Sequence, residues 1–324
     1  MKLGFVLTAI VGFAVATAII GYIGFGAVFT AFATIGWRGF GFFCAYAALP
    51  YAILGACWFV LIAGASASQF GTLVWARLLR EAASELLPFT QVGGFVVGAR
   101  AAAMQGISGT VALATTVVDV TTELIAQLGF TSLGITMLVM RLGGKAGNGD
   151  LVGAALIGLG MTAAGAAGFI LLQRHGMGFV EELARRFFPR AVAGAGELRF
   201  AFVDLYRRRQ RLALAVGLHF VSWNVSALGA WFALRIAGVD IGLTSILAIE
   251  SLVFAVRSAT FFAPMGVGVQ EAAYALIGPL FGLGLEMSLA LSLLKRAREL
   301  AIGLPALLIW QGIEGRRLLL GARQ

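Results

Sequence analysis

The stretch Glu250 to Leu276, ESLVFAVRSATFFAPMGVGVQEAAYAL, decides how this chain is read. It is as apolar as a membrane span, yet it carries Glu250 and Arg257 and then breaks at Pro264, Gly266 and Gly268. A charge near the centre of a bilayer costs about 2.5 to 3.5 kcal/mol on insertion scales, so it faces a partner, a cavity or a substrate. Broken backbone at that depth persists only where it is buried in protein or lines water. Both features predict a polar interior inside a helical membrane protein. Glu250 and Arg257 lie two helical turns apart on one face, which predicts that they share a mid-membrane cavity and pair with each other.

The rest of the composition agrees. Of 324 residues 60% are hydrophobic and 44 are glycine, with a mean hydropathy of +0.94, which excludes a soluble globular domain. The net charge of +9 would suggest nucleic acid in a soluble chain. Here the cations sit beside apolar spans, where anionic lipid headgroups are the nearer partner, and no nucleic-acid partner is expected. The apolar run after Met1-Lys2, reaching about Ala27, exceeds a signal h-region and reads as an uncleaved first span. Cys44 and Cys57 fall too far apart on one helix to pair. With only His175 and His219 and no clustered cysteines, no metal site is expected, and no nucleotide or other cofactor motif is present.

Clear spans are read at 3–25, 41–64, 151–173, 212–235 and 287–312, within a single integral membrane domain over 1–324. Between 174 and 211 lies a basic loop rich in arginine, which predicts a cytoplasmic location; the tail with Arg316, Arg317 and Arg323 is placed on the same side. The chain between them crosses an even number of times, and the segment 271–283 is too short for a crossing of its own. A re-entrant helical hairpin with its tip at Pro264 to Gly268 is the economical reading. A second interruption at Pro88, Gly93 and Gly94 follows an amphipathic stretch bearing Arg77, Arg80, Glu81 and Glu85, and it predicts a second hairpin entering from the opposite face. Two such segments suggest inverted repeats. The crossing number between 88 and 141 stays open.

Two polar constellations remain. Asp119, Glu123 and Gln127 form a stripe along one helix face, read either as proton-coupled groups, as partners for Arg100 or Arg257, or as the acid-base or metal residues of a lipid-modifying enzyme. Lys295-Arg296-Ala297-Arg298-Glu299 sits in the middle of the last span, where four charges at roughly 3 kcal/mol each outweigh the apolar gain. That segment must face protein or water, or else be a loop between two short arms. Glu299 offsets Lys295 or Arg296, which leaves positive charge for a phosphate or other polar headgroup, partly balanced by Glu250 or Glu271. His219 is read as a packing residue.

The runs WARLLREAASELLPFTQVGGFVVGARAAA, VVDVTTELIAQLGFTSLG, RSATFFAPMGVGVQEAAYALIG and ALSLLKRARELAIGLPALLIWQGIEGRRL together resemble the hopanoid-biosynthesis-associated membrane protein L family. That family lies within the broader group similar to the transmembrane flippase region of lysylphosphatidylglycerol synthase. The resemblance covers nearly the whole chain and implies an inner-membrane, multi-pass, non-enzymatic protein that moves or binds hopanoids or related lipids, with hopanoid-biosynthesis proteins as partners. Where the family pattern places an acid after QVGG, this chain has Phe95. The expected architecture is an all-α polytopic bundle with two re-entrant hairpins. Its expected headgroup residues are Arg257, Lys295, Arg296, Arg298, Gln270, Gln91 and Arg100. Glu250, Glu271, Glu299, Asp119 and Glu123 are expected to balance charge or carry protons.

Overall fold

A computed structural model describes residues 25–86, 90–142, 195–260 and 268–321, with separate positions between 153 and 171. The predicted spans 3–25 and 151–173, most of the basic loop, Pro88, Pro264, Gly266 and Arg323 fall largely or wholly outside the described residues. Every regular element described is helical: α1 Phe25–Tyr46, α2 Ala48–Leu61, α3 Gln69–Leu86, α4 Thr90–Met104, α5 Gly109–Leu142, α6 Ala195–Arg207, α7 Arg209–Ile236, α8 Leu243–Ala259, α9 Val269–Ile277 and α10 Leu285–Gly321. The expectation of an all-α membrane bundle is met.

Three described helical stretches are long and apolar enough to cross a bilayer: Phe32–Leu61, Gly109–Arg141 and Arg209–Ile236. The first begins earlier than the predicted span at 41, and it is interrupted where Pro50 can donate no hydrogen bond to the preceding turn. The stretch of undecided topology, 106–141, is the one 34-residue helix α5. The predicted span 287–312 lies inside the unbroken α10, so the KRARE segment is helix and the loop alternative falls. The end of the predicted basic loop is also helical. In α6, Phe202 and Leu205 are buried with the first core, an amphipathic pattern that a count of arginines does not reveal.

The two interruptions each yield a pair of short arms. α3 and α4 pack along each other, as do α8 and α9. At 1.5 Å per residue the 18, 15, 17 and 9 residues of these arms all fall short of a hydrocarbon core of about 30 Å. Gly93 and Gly94, expected at a hairpin tip, stand inside α4 instead. A Cβ at Gly94 would lie 1.9 Å from Ser84 Oγ and 2.6 Å from the Arg80 carbonyl oxygen, so the glycine allows the arms to touch and does not make the turn. Gly268 caps the start of α9 at φ 80°, a conformation that glycine adopts without strain.

A common order of helices runs through both halves: a long apolar stretch, a hairpin, and a second long helix, first as α1–α2, α3–α4, α5 and again as α7, α8–α9, α10. The packing follows the same order, since each hairpin's first arm also contacts the long final helix of the other half, α3 against α10 and α8 against α5. α2 with the end of α1 runs antiparallel to α7: Gly39 lies near Ala233, Tyr46 meets Gly229, Ser222 reaches the Pro50 carbonyl, and Arg211 donates to the carbonyls of Val60 and Ile62. Antiparallel leading helices are what an inverted pair requires. Trp58, Leu73, Leu79 and Val118 build one core, and Ile246, Ile249, Tyr274 and Leu291 the other.

Replacing Gly94 with Val is expected to lower stability by about 1 to 3 kcal/mol through overpacking. Gly71→Ala, with open space at its Cβ, is the control. Thermal unfolding of the purified protein in detergent checks both, and equal melting temperatures would remove the close crossing of α3 and α4.

Candidate functional site

Charged side chains on these helices gather into two clusters. In the first half, Arg77 and Arg80 on α3 point at Asp119 and Glu123 on α5. Arg77 Nη1 donates to Asp119 Oδ2 and its Nη2 to Glu123 Oε2 at 3.0 Å. Arg80 repeats the pattern, at 2.6 Å to Asp119 Oδ2 and 2.7 Å to Glu123 Oε2. Glu81 Oε1 lies 3.0 Å from Arg77 Nη2. The i, i+3 spacing of the arginines meets the i, i+4 spacing of the acids, so each guanidinium spans both carboxylates. His219 on α7 completes the cluster, with Nε2 at 3.0 Å from Asp119 Oδ1.

Asp119 and Glu123 therefore pair with neither Arg100 nor Arg257. Arg100 binds Glu314 near the end of α10, away from both clusters. Asp119, Glu123 and His219 lie close enough together for a metal ion. The donor set does not fit one, because Asp119 Oδ2 and Glu123 Oε2 each accept from both guanidiniums, and two fixed positive charges would stand beside a divalent cation. Each arginine thus holds one oxygen of both Asp119 and Glu123.

In the second half the signs are reversed. Glu250 on α8 accepts from Lys295 Nζ at 2.5 Å and from the Tyr274 hydroxyl, which Lys295 also reaches at 3.0 Å. Glu271 on α9 accepts from Arg296 Nε at 3.2 Å and from the Gly268 amide at 2.8 Å. Arg296 also lies 3.8 Å from Glu299. Gln270 donates to Ser292 on α10, at 3.3 Å to the carbonyl and 3.1 Å to the hydroxyl, while its own Oε1 has no partner. Arg298 makes no ion pair among the described residues; its guanidinium lies 4.6 Å from the centre of the Phe43 ring. Gln91 stands in the first turn of α4, and its side chain is outside the description.

Glu250 and Arg257 do not pair. Arg257 Nη2 instead spans the hairpins to Glu85, at 2.7 and 2.6 Å to its two oxygens. Both residues stand in the last turn of their arms, next to the predicted tips. Counting Glu85, the second cluster holds four cations, Arg257, Lys295, Arg296 and Arg298, against four acids, Glu85, Glu250, Glu271 and Glu299. The surplus of positive charge expected from KRARE alone is thus cancelled by acids from α3, α8 and α9. The charged groups expected to line the polar cavity pair directly with one another. A cavity of about 340 Å³ opens beside Arg235 and Asp240 at the end of α7.

The clusters occupy matching places. Arg77 stands as far before the end of α3 at Leu86 as Glu250 does before the end of α8 at Ala259, and Asp119 is as far into α5 as Lys295 is into α10. The first half sets hairpin cations against long-helix acids; the second sets hairpin acids against long-helix cations.

Helices that bury such pairs inside an apolar bundle define a class, the membrane-embedded all-α proteins with a charged interior. Within it, this chain belongs to the family of the lysylphosphatidylglycerol synthase TM region, whose pattern matches residues 9–306. No curated protein and no solved structure matches it. Family membership bears out the broader resemblance seen in the sequence. Sequence reasoning missed Glu85, Arg77, Arg80, Tyr274 and His219 as site residues, although a histidine inside an apolar span was itself a signal.

Arg257→Ala and Glu85→Ala are each expected to destabilise the protein by about 3 kcal/mol, the low end for a buried pair since both ends are partly exposed. A double-mutant cycle should show coupling for Arg257 with Glu85 and additivity for Arg257 with Glu250. Denaturant unfolding in detergent reads both cycles, and the opposite pattern would place the pair where the sequence first put it.

Proposed function

We propose that the protein moves an amphiphilic lipid across the bilayer, its headgroup passing between the two hairpins while the tail stays in hydrocarbon. The observation that carries this reading is the Glu85–Arg257 bridge, which joins the ends of two arms too short to cross. A phosphate arriving there competes with Glu85 for Arg257. Arg298, without a carboxylate partner among the described residues, is the first receiver, and Lys295 and Arg296 exchange Glu250 and Glu271 for the headgroup in turn. Gln270 offers its unpartnered Oε1 to a headgroup hydroxyl or ammonium.

Breaking the bridge lets one hairpin swing while the other stays closed, an alternating-access cycle in an inverted-repeat frame. A hopanoid-type or phosphate-bearing lipid is the cargo favoured by the sequence resemblance. The bacterial inner membrane is the setting, with the basic loop 174–211 and the C-terminus on the cytoplasmic side and hopanoid-biosynthesis proteins nearby. The double engagement of Asp119 and Glu123 by arginine favours transport over a lipid-modifying enzyme.

Reconstitution with a labelled phospholipid tests the reading. The wild type should move label between leaflets, and Arg298→Gln or Arg257→Gln should slow it about tenfold or more, the worth of one charge-assisted hydrogen bond. A chemically altered lipid would identify an enzyme. An unaltered lipid that does not move would leave a scaffold for other membrane proteins.

A further inference from the structure

The first cluster has one carboxylate more than its arginines neutralise. Arg77 and Arg80 face Asp119, Glu123 and Glu81, so the five groups sum to one negative charge, and the sixth member in contact is His219. His219 and Asp119 are both 0% exposed, and a net charge at that depth is costly. We propose that this cluster is a proton-binding site, with the proton seated on His219 against Asp119.

Three further observations fit. First, Asp119 is the hydrogen-bond partner that the structure gives the imidazole, through Nε2, so the ring is oriented by that buried carboxylate. Second, the side chains grade outward, from Asp119 at 0% through Glu123 at 18% to Glu81 at 28% exposure. Asp119 is thus the most enclosed of the three carboxylates, where a neighbouring positive charge is worth most. Third, the His219–Asp119 contact joins α7 of one half to α5 of the other. Proton loss would therefore weaken a link between the halves, and its coupling to lipid movement rests on the transport reading above.

The surroundings offer few other charges to the ring. α3 supplies Arg77, Arg80 and Glu81, and α5 supplies Asp119 and Glu123. The Cys57 thiol on α2 lies near enough to feel Asp119 and Arg77. Tyr206 on α6 is engaged with Thr121. On α8, Glu250 is held by Lys295 and Tyr274, and Arg257 by Glu85. On α1, Tyr46 packs against Gly229, further along α7.

Because the chain has only two histidines, His175 and His219, nitrogen-15 NMR of histidine-labelled His175→Ala protein observes His219 alone. The expected result at neutral pH is an imidazolium, with both nitrogens protonated, and loss of that form in Asp119→Asn. A single neutral tautomer throughout about pH 5 to 8, unaltered by Asp119→Asn, overturns the proposal. A second measurement uses His219→Gln, which keeps a donor toward Asp119 but cannot titrate. Wild-type melting temperature should fall as pH rises through the proton's release, because the folded state binds the extra proton, and this slope should vanish in the variant. An unchanged slope in His219→Gln also overturns it. Both readouts use purified protein with no lipid being moved, so they fail separately from the transport reading.

Discussion

No charge can be left unpaired in hydrocarbon, and most of this architecture follows from that constraint. Within each half, ion pairs tie a hairpin to the long helix that follows it: Arg77 and Arg80 to Asp119 and Glu123, then Glu250 to Lys295 and Glu271 to Arg296. Removing one partner of such a set strands the other, at a cost of about 3 to 5 kcal/mol. The halves are thereby stiffened internally. Between the hairpins themselves, the described residues supply one ion pair, Glu85–Arg257. The result is two internally braced halves that also pack along each other, α3 on α10 and α8 on α5, with the Glu85–Arg257 bridge joining the ends of the two hairpins.

The fold was legible where hydropathy alone decides. α7 is a long apolar run and was read as a span, whereas the polar stripe of Asp119, Glu123 and Gln127 left the equally long α5 undecided; the short arms after Pro88 and before Ile277 follow from counting residues against bilayer thickness. The site was half legible. Seven-residue spacing placed Glu250 and Arg257 on one face of α8, but a shared face spans two turns, and each found a nearer opposite charge on another helix: Lys295 on α10 and Glu85 on α3. One-dimensional spacing reports which charges share a helix and is blind to which helices meet. The same blindness explains the surplus charge assigned to KRARE, whose acids come from three other helices. Gly93 and Gly94 were misplaced for another reason: a glycine pair marks a turn or a close helix crossing equally well.

Phe95 shows how an aromatic ring supports a buried guanidinium. An acid at this place in α4 would add a further carboxylate beside Arg80. The phenyl ring instead offers its face to that guanidinium, with the cation 4.6 Å from the ring centre. Arg80 keeps its bonds to Asp119 and Glu123 along its edge while the ring covers its face. The ring therefore helps to hold Arg80 without adding a charge to the cluster.

A cluster with equal numbers of cations and acids bears on how a charged headgroup could be carried. A purely basic pocket would bind a phosphate tightly and release it slowly, and it would be costly to maintain when empty. In the second cluster each cation already has a carboxylate or an aromatic face, so an incoming phosphate replaces one anion with another, and the displaced carboxylate is free to meet a headgroup ammonium or a neighbouring arginine. The free energy of each step is then a difference between two paired states and not the full cost of exposing a charge. Such exchange favours passage over capture. It suits the weakly held members of the set, Glu299 at 3.8 Å from Arg296 and Arg298 against Phe43, as the places where the sequence of exchanges begins.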